Sequence, residues 1–285
     1  GLDVELKFFE AAQPIAVAIA AGDTEFGLTG ITAGSLNLAG KGGLKIVASQ
    51  GAEKKGVVGN QLVASNEAFA RGLDKPEKLA GATVAISQVG STFHYQLGQI
   101  AAVKGFDLSK ITMKPLQSLP NMIAAVKTNQ VDATILPTHI AGPMVERGEA
   151  KIVAPLSDIA DYQYGALFAG TKAVADKRDV VQRFVRAYQK GLADYGAALL
   201  RSDGSGKRIA DEKAQEAARQ IGKYVYPSDP PDQAAPKVIA SAPYCDPTGK
   251  LDLADVEAQI AWYKAEKLVD AGVDAKAFVD LSFAK

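Results

Sequence analysis

The stretch from Gly81 to Leu97 leaves few folds open to this chain. Val84, Ala85 and Ile86 read as a short buried strand. Gly90 allows a tight turn, because a residue without Cβ tolerates conformations others do not. Ser91 or Thr92 can cap a helix whose apolar face is Leu97, Ile100, Ala101 and the stem of Lys104. This order puts the free N–H groups of the first helical turn at the carboxyl end of the strand. Those groups and the positive end of the helix dipole suit an anion. Taken alone, the stretch also describes an ordinary capped helix in an α/β unit.

The rest of the chain repeats the alternation. Leu2, Val4 and Leu6 alternate with Asp3, Glu5 and Lys7, which predicts a strand over 1–9. Pro14 opens a helix to Ala21. A strand over 25–30, a small-residue helix over 32–39 and a strand over 44–50 follow. The glycine- and lysine-rich segment 51–59 reads as a surface loop, and 61–65 as another strand. A short helix with Pro76 near its start leads into the central stretch. Beyond it come a strand over 111–116, near a sheet edge because it carries Pro115, a helix over 121–129 and a strand over 131–136. A helix with Pro143 inside it and a strand over 151–155 complete the second block. One more strand spans 164–169, and everything after it is helical, with strong periodicity over 178–200. The alternation of strand and helix with short turns argues a mostly parallel sheet covered by helices, in two αβ blocks, roughly 1–66 and 82–157.

At 285 residues, with 47% apolar side chains, the chain can build two ordinary domains. Its 32 basic and 32 acidic residues balance, so no charge bias recommends nucleic acid. No apolar run approaches the ~20 residues needed to span a bilayer. The lone cysteine, Cys245, can form neither an internal disulfide nor a Cys-rich metal site. The two histidines, His94 and His139, show no His-Glu-x-x-His spacing, so no metal or other cofactor is expected. No Ser-His-Asp order with a supporting motif and no phosphate-loop lysine suggests an enzyme.

The run Gln88-x-Gly90-Ser91-Thr92-x-His94-Tyr95-x-Leu97 resembles the ligand-binding helix start of type II periplasmic solute-binding proteins of ABC importers. The branch is the one for sulfonates, taurine, nitrate and thiamine-pyrimidine precursors. The opening Gly1 to Leu6, the Ala21 to Gly30 segment, the lead from Asp74 to Ala85 and the run from Gln130 to Pro137 are similar to that branch in the same order. The resemblance runs over about 1–200. It implies an α/β, two-lobed type II fold, each lobe a mixed sheet flanked by helices, with a helical C-terminal tail. The first lobe would comprise 1–81 and 159–285, the second 82–158. In the family a further strand and helix precede the segment with which this sequence opens, and they are expected to supply part of the cleft wall.

The resemblance further implies a receptor that captures a small organic anion between hinged lobes, a sulfonate or a carboxylate, aromatic ones included. A monomer that delivers it to a membrane permease is expected. It would be periplasmic, with any signal peptide removed and a lipid anchor compatible with the sequence. Gly90, Ser91 and Thr92 would hold the anionic group. Thr29, Gly30, Ile31 and Thr32 would face them from the first lobe. Gln50, Pro137, Thr138 and Phe9 end other strands. Tyr164 could stack on a ring, and His94 either touches the ligand or braces the turn. His139 reads as a ligand contact or a helix cap. The alternatives are a receptor for a thiamine pyrimidine precursor, a pyrimidine-synthase-like enzyme, and the effector domain of a sensor. The synthase carries a cysteine-rich motif that a chain with Cys245 alone lacks.

Overall fold

The computed structural model describes residues 2–283. In chain order the elements are α1 (Ala12–Ala21), β1 (Phe26–Gly30), α2 (Ala33–Gly40), β2 (Leu44–Ser49), β3 (Ala52–Glu53), β4 (Asn60–Ala64) and α3 (Asn66–Ala70). Next come β5 (Thr83–Ile86), α4 (Thr92–Lys104), β6 (Thr112–Pro115), α5 (Leu119–Lys127), β7 (Ala133–Pro137), α6 (Thr138–Glu146) and β8 (Lys151–Pro155). The chain then returns through β9 (Tyr162–Gln163) and β10 (Gly165–Gly170) to the helices α7 (Thr171–Asp176) and α8 (Arg178–Leu199). Four helices close it: α9 (Glu212–Val225), α10 (Pro231–Ser241), α11 (Leu253–Ala265) and α12 (Ala275–Phe278).

Two separate sheets make two lobes. The first has the order β1-β10-β2, with β10 antiparallel to both neighbours, not the parallel arrangement that the strand–helix alternation suggests, because the middle strand comes from the returning chain rather than from a βαβ crossover. The second has the order β6-β5-β7-β4-β8. In it β5 runs parallel to β6 and β7, while β4 is antiparallel to β7 and β8. Pro115 lies in β6 at the sheet's edge, where a missing N–H costs no ladder bond. Each sheet is buried on both faces. Ile46, Phe168 and Tyr263 pack on one side of the first, and Val47, Leu167 and Val185 on the other. Leu62, Ile86 and Leu97 share one side of the second, and Val63, Met122 and Leu136 the opposite one. A satellite core, including Ala218 and Val238, holds α9 and α10 together.

Two departures from the sequence expectation bear on the site. First, the expected boundary at 81/82 lies too far downstream. β4 pairs with β7 and β8, so the chain enters the second sheet by Asn60. The crossing is the segment 51–59, which is not a plain surface loop: Ala52 and Glu53 pair with Gln163 and Tyr162. This two-stranded ribbon, β3 with β9, carries both passages between the lobes. Second, residues 2–9 form no strand. Val4, Leu6 and Phe8 are exposed, and the Phe8 ring lies 6.4 Å from that of Tyr224. Alternation favours a strand only where a neighbouring strand accepts its hydrogen bonds, and none of the three strands of the first sheet pairs with this arm.

Candidate functional site at the lobe junction

The α4 start is built as the sequence predicts. Gly90 has φ of 80°, a conformation costly to any residue with a Cβ. Ser91 is the N-cap, and its Oγ accepts from the His94 N–H at 3.3 Å. His94 turns back, and its Nδ1 accepts from the Gly90 N–H at 3.1 Å. That acceptor role places the ring proton on Nε2. Burial lowers the His94 pKa, which keeps the imidazole neutral. His94 therefore braces the turn, one of the two roles its position suggested.

The first lobe meets this turn directly. Thr32 caps α2, accepting from the Ser35 N–H, while the Ser35 hydroxyl accepts from the Thr32 N–H at 3.0 Å. The first N–H of α2, that of Ala33, donates to the Gly90 carbonyl at 2.9 Å. The Thr92 hydroxyl donates to the Ile31 carbonyl at 3.3 Å. A Cβ on Gly30 would collide with the Thr92 Oγ1, and one on Gly90 would sit 2.9 Å from the Ala33 Cβ. Two glycines thus let two helix starts, one from each lobe, approach backbone to backbone. Thr29, Ile31, Thr32 and Ser91 are all buried here.

The Tyr164 carbonyl accepts from the Ile31 N–H at 2.9 Å, and its ring covers Gly51 where no Cβ would fit. Burial, first of all, holds its hydroxyl well above the ordinary tyrosine range. Gln50 lays its carboxamide over Gly165. The structure therefore brings Thr29, Gly30, Ile31, Thr32, Gln50, Gly90, Ser91, Thr92, His94 and Tyr164 to one junction. Pro137 and Thr138 stand at the carboxyl end of β7, beside that of its parallel neighbour β5. The Thr138 hydroxyl is used locally, donating to the Gly59 carbonyl at 3.1 Å. His139 lies further out: its carbonyl accepts from the Tyr226 hydroxyl at 3.0 Å. Phe9, 40% exposed at the end of the N-terminal arm, is in none of these contacts.

Sequence reasoning missed the residues that join the lobes. Tyr263 on α11 aims its hydroxyl between the carbonyls of Ile31 and Ser91, at 3.3 and 3.1 Å, one from each lobe. Its neighbour Trp262 covers Gly98 of α4 and meets His94 and Tyr95 edge-on. On the ribbon, Glu53 is wholly buried. Its Oε1 accepts from the Asn60 Nδ2 at 2.5 Å, and its Oε2 has no partner among the described residues. Burial pushes this carboxyl up to about 7, against the pull of the Asn60 side chain and of the backbone N–H groups of Asn60 and Gly59. A cavity of about 480 Å³ adjoins the ribbon, with Gln50, Gly51, Glu53, Tyr162, Gln163 and Leu253 in its lining. The only signal for Glu53 in the sequence is a lone acid in a segment rich in lysine and glycine.

Burial pushes the Cys245 thiol up to about 12, so it stands near Tyr164 as a neutral packed group. Among the described residues no cluster of His, Cys, Asp and Glu has metal-site geometry, and no helix is long and apolar enough to cross a membrane.

Two sheets linked by a two-strand ribbon, with helix starts converging between them, define the class: a periplasmic-binding-protein fold of type II. The chain belongs to the NMT1/THI5-like family, which matches residues 1–197. None of the curated protein sequences matches it. Among solved structures, the alkanesulfonate-binding protein SsuA from Xanthomonas axonopodis pv. citri, bound to MOPS, superposes with a TM-score of 0.69 at 21% identity, covering 95% of this chain and 86% of that one. The periplasmic aliphatic sulphonate binding protein SsuA from Escherichia coli gives 0.62 at 19% identity, with 95% and 80% covered. A DszB mutant in complex with biphenyl-2-sulfinic acid gives 0.55 at 13%, with 96% and 88% covered. At these identities the likeness is one of fold.

Proposed function

We propose that this protein is the substrate-binding component of an ABC importer, a periplasmic receptor that captures a small organic anion between its lobes. It works as a monomer, without catalysis or nucleic acid, and presents its closed form to a membrane permease. The observation that carries this reading is the meeting of two helix N-termini, α2 and α4, from opposite lobes at Gly30–Thr32 and Gly90–Thr92. Such ends attract negative charge through free N–H groups and aligned peptide dipoles. A small anion there would draw both lobes together, so binding and closure become one equilibrium. The family assignment and the fold shared with sulfonate-binding receptors support the same class of solute.

Sulfonate or carboxylate is favoured because the junction offers hydroxyls and N–H groups rather than a guanidinium clamp. Micromolar capture needs about 8 kcal/mol, within reach of a few charge-assisted hydrogen bonds. Calorimetry with short sulfonates and carboxylates tests the reading. Combining Ser91→Ala with Thr92→Val is expected to weaken anion binding at least tenfold. The same pair lowers apo stability by about 1 kcal/mol through loss of the α4 cap. Unchanged affinity in the double variant would remove the α4 start from the site.

A further inference from the structure

The two passages of chain between the lobes meet in a short ribbon, Ala52 and Glu53 against Gln163 and Tyr162. Its first-lobe end is tied down. The Ala52 N–H donates to the Tyr244 carbonyl at 3.1 Å, the Tyr164 N–H to the Gly51 carbonyl at 3.0 Å and the Gln163 N–H to the Asp255 carboxyl at 2.8 Å. Its other end belongs to the second lobe. Asn60, which bonds Glu53, opens β4, and the Tyr162 ring meets Tyr95 of α4 edge-on with 5.7 Å between centroids. A change of angle between the lobes therefore falls on the Glu53–Tyr162 pair, since hinge motion is absorbed by the few residues that join two rigid bodies.

Glu53 is 0% exposed and stands opposite Tyr162 in the ladder. Both its carboxyl oxygens press on Gly59, where a Cβ would stand 3.0 Å from each. Oε2 has no hydrogen-bond partner among the described residues, and neither has the Tyr162 hydroxyl. The charged groups nearby are engaged elsewhere. Lys54 and Asp161, just beyond the ribbon, bond each other at 2.8 Å. Asp255 of α11 holds Gln163 and Gln259, Asp252 caps α11, and Asp246 accepts from its own turn at Thr248. Lys250 and Tyr244 stand in the lining of the adjoining cavity. Among the described residues no lysine or arginine bonds Glu53.

We propose that Glu53 is a proton-operated latch on the interlobe hinge: closing the lobes takes up one proton on its carboxyl, and losing that proton opens them. In the closed form an ionised Glu53 is buried with no cation beside it, which costs far more than burying the neutral acid. Opening the ribbon admits water from the adjoining cavity of about 480 Å³. The hydrated carboxyl titrates in its ordinary range near 4.5, whereas burial holds it at about 7 in the closed form. The closed form therefore binds this proton more tightly and is favoured on the acid side. Between those two values the closed-to-open ratio falls about tenfold for each pH unit, and above the upper one it is level. Burial lowers the pKa of both histidines, His94 and His139, so exposing them would favour the open form on the acid side. They push the other way. No particular solute is needed, only hinged lobes; a receptor that captures by closing would hold its solute more tightly in acid.

Small-angle scattering of the full chain, with no solute added, tests the latch. The wild type is expected to gain radius of gyration between pH 5 and pH 8. Glu53→Gln, neutral throughout, should keep the compact value at both. Asn60→Leu removes a bond that favours the ionised carboxyl and should move the transition to higher pH. A wild-type radius that is the same at both pH values overturns the proposal. So does a Glu53→Gln protein that expands as the wild type does, since Asp255 or another acid would then carry the effect. Should Glu53→Gln fail to fold, the wild-type curve and the direction of its shift in Asn60→Leu decide. Because no ligand enters the measurement, its failure leaves the anion reading standing.

Discussion

The start of α4 and the β3–β9 ribbon are both places where the lobes touch, yet their polar groups are treated in opposite ways. At the α4 turn the backbone and capping groups are bonded within the protein: Ser91 with His94, His94 Nδ1 with Gly90, Gly90 with Ala33, although His94 Nε2 and the Gln96 carboxamide further along have no partner among the described residues. On the ribbon, the Glu53 Oε2 and the Tyr162 hydroxyl have none among the described residues. Satisfied groups fix a shape, and here they bring two helix starts together. Unsatisfied buried groups raise the free energy of the empty protein and reward whatever completes them. The comparison separates a junction whose turn is fixed by its own hydrogen bonds from a buried ribbon that keeps unpartnered polar atoms.

The largest effect that could break this contrast is the pH dependence of stability. Glu53 has an ordinary carboxyl value of 4.5 when unfolded and about 7 when buried in the native state. The folded protein therefore keeps this proton across that window while the unfolded chain has lost it. Stability falls as pH rises from about 4.5 to about 7, by on the order of 3 kcal/mol, and is level above. The hydroxyls facing Glu53, on Tyr162 and Tyr164, stay neutral throughout, held well above their ordinary range by burial. Glu53→Gln should abolish this decline and be the more stable protein at pH 8. Urea melts of both forms at pH 5 and pH 8 check it, and parallel profiles would mean that the carboxyl is not buried alone.

A substitution at Gly90 tests the cradle. Gly90→Val places a branched side chain at positive φ and against Ala33. It is expected to cost about 2 kcal/mol of stability and to hold the lobes apart. Anion binding should then be lost by calorimetry, and the radius of gyration in solution scattering should rise with or without ligand. Retained binding would show that the two helix starts need not meet.

The smallest effect is expected at Tyr263. Its hydroxyl carries one proton for two carbonyls, so it can favour either lobe and ties both only when they are together. Tyr263→Phe should lower stability by about 1 kcal/mol and weaken ligand binding about fivefold, mainly through faster release. A change in stability with no change in dissociation rate would reduce Tyr263 to packing.

Much of the first-lobe and second-lobe architecture was legible in the sequence. The strand at Val84–Ile86, the turn at Gly90, the cap at Ser91 and the edge placement of Pro115 each follow from local chemistry. The α8 stripe of Val181, Val185 and Leu192 follows from its period. Local reasoning fails in three kinds of place. It reads the N-terminal alternation as a strand, although pairing is decided elsewhere. It takes 51–59 for surface loop because glycine and lysine dominate it, although Glu53 is among the most deeply buried groups. It gives Tyr263 and Trp262 no role, although they touch both lobes.

The sequence by itself determined most of the helices and strands between α1 and α8 and where α4 begins. Periodicity, caps and glycine turns act over a few residues and leave their mark in the order of residues. Only the tertiary structure decided that the α2 and α4 starts face each other, that Tyr263 bridges Ile31 and Ser91 across more than 170 positions of chain, and that Glu53 is buried opposite Tyr162. Burial and pairing between distant segments depend on how sheets and helices pack, and a carboxylate carries no local sign of whether water or protein will surround it.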